Sequence, residues 1–214
     1  MSSIAMMRHI LTPGIENHET FMARVAATMF GTLDPKYIRI EKAYNLAKDA
    51  FRGMYREDNE TRYFEHLRAV ALILIVHLRV RDPNVIVAAI LHDILENCPG
   101  WTPTRLVNEV GYESAFLVES ASKAPKREGV SKQQRDHEYD MRLQLADRRV
   151  ILIKLADRWH NMLTLWVCGK EKILFKIEET RRVYLPLAEK EILLIHELEA
   201  AVSDAQVHYN RLVA

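Results

Sequence analysis

His92 and Asp93 stand side by side in AAILHDILENCPG, residues 88–100, with Glu96 and Asn97 one helical turn further along. Imidazoles and carboxylates are the groups that ligate divalent ions, and a neighbouring glutamate can accept a proton from water. Taken as one helix, the stretch divides into two arcs. Val87, Ile90, Leu91, Ile94 and Leu95 fall on one, and His92, Asp93, Glu96 and Asn97 share the other. An ordinary amphipathic helix with a wetted face has the same pattern, so metal chemistry needs further ligands elsewhere in the chain.

RRVILIKLADRWHNMLTL, residues 148–165, offers one. Its apolar residues leave little wet face, yet Lys154, Asp157, Asn161 and Thr164 recur at i, i+3, i+7 and i+10, a narrow polar stripe. A carboxylate buried without a partner is costly, so Asp157 requires one. Lys154 can serve through a salt bridge. A metal ion shared with His92 and Asp93 is the alternative, and the stripe alone does not choose. His66, near the start of YFEHLRAVALIL, is placed to complete the set from a third helix. Two imidazoles and two carboxylates make a mixed nitrogen and oxygen site. Such a site suits Mn²⁺, Fe²⁺ or Zn²⁺, with positions left for water and substrate, better than Ca²⁺.

Helices must hold these groups. Only 7 Gly and 7 Pro interrupt 214 residues and no period-2 alternation stands out, so the pattern predicts an all-α fold. Expected helices span 18–30, 37–55, 63–78, the stretch opened by Pro83 after RDPN, 102–110 capped by Thr102 before Pro103, and 113–122. The charged segment KAPKREGVSKQQRDHEYD reads as a loop leading into a helix. Helices over 148–168, 170–188 and to about 211 complete the chain, with Pro186 bending or dividing the last pair.

Composition narrows the classes of function. With 30 basic and 29 acidic side chains the formal net charge is +1, so no global field draws nucleic acid or an anionic membrane. Phosphate affinity must then be local. No apolar run is long enough to span a bilayer and the N-terminus is too polar for a secretory signal. Cys98 and Cys168 form neither a disulfide framework nor a CxxC pair, which points to a cytoplasmic protein.

The set His66, His92-Asp93 and Asp157 resembles the metal signature of the HD-domain phosphohydrolases. YFEHLRAVALIL, AAILHDILEN, VILIKLADRWHNMLTL and ETRRVYLPLAEKE bring the chain closer still to the hydrolase domain of the RelA/SpoT homologues, over roughly residues 40–192. The resemblance implies an HD-domain helical bundle at 37–192 with a metal site between helices. Residues 1–36 are then an N-terminal extension holding one extra helix, and 193–214 a C-terminal helix packed on the same domain. It further implies a single-domain small alarmone hydrolase that releases pyrophosphate from the 3′-diphosphate of guanosine tetra- and pentaphosphate. One Mn²⁺ per chain is implied, with Zn²⁺ or Fe²⁺ also compatible. Some animal relatives dephosphorylate NADPH, which keeps a second substrate open. A homodimer through the 18–30 helix is open as well.

Residue by residue, the resemblance assigns His66, His92, Asp93 and Asp157 to the metal. It assigns Glu96 to proton transfer or water orientation, and Arg56, Lys154, Asn161 and Thr164 to the substrate. Asn97 departs from it: the family carries Asp there, and an amide can hold a water but cannot take its proton. A weak enzyme, or a silent nucleotide-binding module, is therefore a further reading. Glu57 replaces a basic residue and Leu163 an arginine. Tyr63 and Thr180 are weaker assignments, shared between packing and ligand contact. Lys123, Lys126, Arg127 and Lys132 are either a solvated charge run or a contact for 5′ phosphates. His160 is expected to make a hydrogen bond behind the metal ligands. His77 reads as a core histidine, and Trp101, Trp159 and Trp166 as packing residues.

Overall fold

The computed structural model describes residues 7, 10–12, 14–28, 31–124 and 128–214. Phe30, Lys126 and Arg127 lie outside them, so the end of the first expected helix and those two basic positions are not placed. The described residues fold as helices: α1 His18–Thr28, α2 Pro35–Ala50, α3 Tyr63–Leu72, α4 Pro83–Leu91, α5 Ile94–Asn97 and α6 Pro103–Val110. After these come α7 Tyr112–Ala121, α8 Lys132–Gln144, α9 Arg148–Leu163, α10 Lys170–Glu179, α11 Leu185–Glu191 and α12 Ile195–Val213. The all-α expectation holds.

Several starts follow one chemical device. Asp34, Asp82 and Thr102 each precede a proline, and each side chain accepts a hydrogen bond from a first-turn N–H, at 2.8 Å from Lys36, 2.8 Å from Asn84 and 3.2 Å from Arg105. The cap supplies an acceptor to an orphan donor, while proline removes one donor and presets φ. Asp34-Pro35 thus opens α2, two residues ahead of the expected start.

Apolar periodicity then decides how the helices pack. Helix α4 is buried along Val85 to Leu91 and lies between α2, α3 and α7. Helix α9 packs on α3, α4, α7 and α12, which makes it the central strut. Helix α12 covers α9 and α10, and α1 covers α2 and the end of α3 through Phe21, Met22 and Val25.

Three expected helices are interrupted. The 88–100 stretch is two helices, because α4 stops at Leu91 and α5 begins at Ile94. His92 Nδ1 donates to the Ala89 carbonyl at 2.7 Å, competing with the helical ladder, and Asp93 sits at φ −102° and ψ 2°. The 37–55 helix ends at Ala50; Gly53 takes φ +77°, a left-handed value that suits glycine, and residues 51–62 turn back with Tyr55 bridging Arg62. The 148–168 helix ends at Leu163, followed by a 3₁₀ turn at Leu165–Val167.

Two π-helical turns add curvature. Ile73–His77 extends α3, and Thr180–Tyr184 joins α10 to α11, where the Leu185 N–H bonds the Thr180 carbonyl five residues back. The wider turn precedes Pro186, which cannot donate to a helical ladder and crowds the preceding turn. One buried ion pair fastens this corner to the strut: Arg158 Nη2 to Glu179 Oε2 at 2.7 Å, with the guanidinium 3.9 Å over the Tyr184 ring. Burial opposes the charge on Glu179, but Arg158 and Lys176 hold its carboxyl down to about 2. Removing one member of such a pair leaves the other charged in a dry place. Glu179→Gln should therefore lower stability by about 3–5 kcal/mol in chemical denaturation. Arg52→Gln, in the exposed Arg52–Asp49 pair, should change it by no more than about 1 kcal/mol.

Candidate metal centre

Four elements converge on one cavity of about 220 Å³. Helix α3 brings His66 and Tyr63, the α4–α5 break brings Asp93 to the wall with the fully buried His92 beside it, α5 brings Glu96, and α9 brings Lys154, Asp157 and Asn161. His66 Nε2 lies 3.2 Å from Asp157 Oδ1 and 3.8 Å from Asp93 Oδ2. His92 Nε2 lies 3.4 Å from Asp93 Oδ1 and 3.7 Å from Asp157 Oδ1. Donor atoms of His66, His92 and Asp157 lie within 4.8 Å of one another, a spacing one cation can bridge. Asp93, at the helix break, faces both imidazoles.

The imidazoles are oriented from behind. His92 spends its Nδ1 proton on the Ala89 carbonyl. His66 Nδ1 meets His160 Nδ1 at 2.8 Å, the hydrogen bond expected of His160. Each ring is left with its Nε2 facing the Asp93 and Asp157 carboxylates, and both Nε2 atoms are buried without a hydrogen-bond partner. Two orphaned ring nitrogens beside two carboxylates fit a divalent ion held by nitrogen and oxygen.

Charge runs through the same groups. Burial disfavours charge on His92, yet Asp93 and Asp157 outweigh it and lift the ring to about 10. His66 moves the other way, down to about 4, since burial and the Arg56 cation both oppose its protonation. Burial works against the Asp157 charge, but Lys154 and the two imidazoles hold its carboxyl well below the usual range. The salt bridge therefore leaves the second Asp157 oxygen able to serve a cation. Lys154 Nζ donates to Asp157 Oδ2 at 2.7 Å, and Oδ1 faces the histidines while accepting from Asn161 Nδ2 at 2.6 Å.

Around this core the remaining expected residues separate. Arg56 sits on the 51–62 loop ahead of α3, and its Nη2 donates to Asn161 Oδ1 at 2.9 Å and Thr164 Oγ1 at 3.4 Å. Thr164 thus meets the stripe through Arg56. Glu96 as a residue is exposed, but its carboxyl reaches the cavity, where burial from water raises its pKa, and Oε1 accepts from the Lys123 N–H at 2.8 Å. Asn97 turns away: Nδ2 donates to the Asp93 backbone carbonyl at 3.1 Å, and the residue lines a larger neighbouring cavity.

Tyr63 has a sharper role than its sequence suggested, donating its hydroxyl to Asp93 Oδ2 at 2.7 Å while its ring stacks on Phe51. Thr180 is fully buried and bonds the Lys176 carbonyl, a packing position. Lys123 and Lys176 line the cavity, whereas Lys132 faces Phe175 outside it. His77 meets Glu197 at 2.8 Å and the Trp159 ring. The packing expectation fails for Trp166, which is 67% exposed, while Trp159 is 1% exposed. Helix α9 ends at Leu163, so the indole is not carried into the core. Lys176 went unnoticed because a lysine on an amphipathic helix gives no sign of which cavity it meets.

The HD-domain family model matches residues 43–192, and the chain belongs to that family. It is 38% identical over 149 residues to the guanosine-3′,5′-bis(diphosphate) 3′-pyrophosphohydrolase of Haemophilus influenzae, covering 68% of this chain and 21% of the relative. It is 37% identical over 169 residues to the bifunctional (p)ppGpp synthase/hydrolase SpoT of Escherichia coli, covering 78% and 23%. A Brucella melitensis protein named GTP pyrophosphokinase rsh is 40% identical over 153 residues, covering 70% and 20%. The chain therefore spans about a fifth of the length of these curated relatives. A solved structure, described as a metazoan ortholog of SpoT that hydrolyzes ppGpp, superposes with a TM-score of 0.57 at 23% identity, over 81% of this chain and 92% of the other. That likeness shows the fold.

The hydroxyl and ring of Tyr63 make separable contributions. Tyr63→Phe should cost about 1 kcal/mol in thermal denaturation through loss of the bond to Asp93. Phe51→Ala, which removes the ring stacked on it, should cost about 3–5 kcal/mol.

Proposed function

We propose that this chain removes pyrophosphate from the ribose 3′ position of guanosine tetra- or pentaphosphate, using a divalent ion, Mn²⁺ first among the candidates. The observation that carries this reading is the convergence of His66, His92, Asp93 and Asp157, with His66, Asp93 and Asp157 lining a cavity also walled by Lys123, Lys154 and Lys176. Ligands of mixed nitrogen and oxygen beside three ammonium groups suit a polyphosphate ester. The relatives' printed activities name the nucleotide. A cytoplasmic enzyme fits the two free thiols and the finding that no described helix is long and apolar enough to cross a membrane.

When bound by these four residues, a divalent ion supplies Lewis-acid polarisation of a phosphoryl oxygen and a water of lowered pKa. The chain does the rest. Glu96, whose raised pKa moves it toward the working range of a general base, accepts the water proton through the carboxyl oxygen not bonded to Lys123. Lys154 keeps Asp157 ionised and, with Lys123 and Lys176, offsets phosphate charge. Arg56, held by Asn161 and Thr164, stands where both cavities meet and positions the nucleoside end. Tyr63 and His160 orient a carboxylate and an imidazole. Asn97, bonded to its own backbone, leaves proton transfer to Glu96, so the amide slows turnover without abolishing it.

Two rival readings give different results. An NADPH phosphatase on the same site releases orthophosphate. A silent nucleotide-binding module shows ligand-induced stabilisation without turnover and becomes active only as Asn97→Asp.

With Mn²⁺ and guanosine tetraphosphate, pyrophosphate release should be lost in Asp157→Ala and fall roughly 10²–10⁴-fold in Glu96→Gln. Asn97→Asp should raise a rate already present in the parent. Absence of pyrophosphate from a folded, Mn²⁺-loaded parent would refute the reading. Independently of catalysis, Mn²⁺ at about a hundred times its Kd should stabilise the parent by about 2.7 kcal/mol in thermal denaturation, and His66→Ala should not respond.

A further inference from the structure

Trp166 is the largest side chain left in solvent beside the site. Its indole is 67% exposed on the Leu165–Val167 turn, two residues beyond Thr164, whose hydroxyl meets Arg56. It lines an outer cavity of about 690 Å³, within the roughly 300–1,000 Å³ of small-molecule pockets. That cavity shares Arg56, Tyr63, His66, Asn161 and Lys176 with the 220 Å³ cavity of the metal centre, so the two are chambers of one cleft.

The chambers differ in chemistry. The inner one has carboxylates, the His66 imidazole and three lysines, a surface for phosphate. The outer one, whose walls also carry Arg56, Glu57, Asp58 and Lys172, adds the apolar faces of Trp166, Tyr55 and Leu165 that the inner one lacks. A wide apolar ring on a cavity wall offers a bound ligand a flat face to stack on. A phosphate gains little from an indole face, whereas a planar base gains stacking whatever its hydrogen-bonding edge.

We propose that Trp166 is the platform on which the purine base of the substrate stacks, setting affinity while the inner chamber does the chemistry. This rests on the nucleotide reading above and names the residue that holds the base. The position of the turn explains the division of labour. Thr164 and Arg56 mark the boundary between the chambers, and Trp166 follows them on the outer side, away from the reacting phosphate.

The test combines kinetics with fluorescence. Trp166→Ala should raise KM for guanosine tetraphosphate by about 5- to 100-fold with a much smaller effect on kcat, and Trp166→Phe should restore most of the affinity. GDP, which carries the base without a 3′-phosphate, should quench the parent's tryptophan fluorescence. Ribose 5-phosphate should not, and the quench should disappear in Trp166→Phe, because Trp159 is buried and Trp101 is not in this cavity. A KM for Trp166→Ala within about two-fold of the parent overturns the proposal, as does a GDP quench that survives in Trp166→Phe or is absent from the parent. If the parent hydrolyses no guanosine tetraphosphate, the functional reading fails on its own, and the GDP titration still decides the role of Trp166.

Discussion

Asp157 is a carboxylate on the central strut of an apolar bundle, and the structure depends on how its charge is satisfied. Its two oxygens are divided between unlike partners. One takes the Lys154 ammonium, and the other takes the Asn161 amide and faces two imidazole nitrogens that make no hydrogen bond. Burial penalises every charge here, so none of the groups is tolerable alone. The cost is offset only when the helices that carry them come together, which couples packing of α3, α4 and α9 to assembly of the site. Arg158 and Glu179 repeat this logic at the other end of the cavity, tying α9 to α10.

The break between α4 and α5 is the second device. A continuous helix would carry Asp93 about 100° around the axis from His92. Ending α4 at Leu91 lets His92 hold the Ala89 carbonyl while Asp93, in a sparsely populated backbone region, faces the same cavity. Adjacent residues can then serve one centre. Behind them, His160 and Tyr63 act on His66 and Asp93 from the far side, so the ring and carboxylate orientations are set by neighbours rather than by rotamer preference alone.

Much of this was legible along the chain. The all-helical class followed from periodicity and sparse punctuation, and capped prolines at 83 and 103 start helices where their chemistry requires. The polar stripe Lys154, Asp157, Asn161 and Thr164 stood out because charge on an otherwise apolar helix demands a partner. The interruptions were less visible. A histidine bonding a carbonyl three residues back, or a π turn ahead of Pro186, leaves little trace in hydrophobic periodicity. Arg56 was noticed, yet its place on a turning loop depended on Gly53 rather than on the helical pattern before it. Lys176 and the exposed face of Trp166 could not be assigned, because an amphipathic lysine or a tryptophan near a helix end reads the same whether it meets a cavity, solvent or the core.

The sequence by itself determined the helices, the kinds of ligand available and the need for compensation at Asp157, since these are properties of residue type and short-range spacing. Tertiary structure alone decided that the orphaned nitrogens of His66 and His92 point at the same two carboxylates, and that an indole is left facing an open chamber. Those outcomes depend on directions in space between segments as many as 91 residues apart along the chain, from His66 to Asp157. Direction across that separation is set by how helices cross and where they stop, which no local pattern encodes.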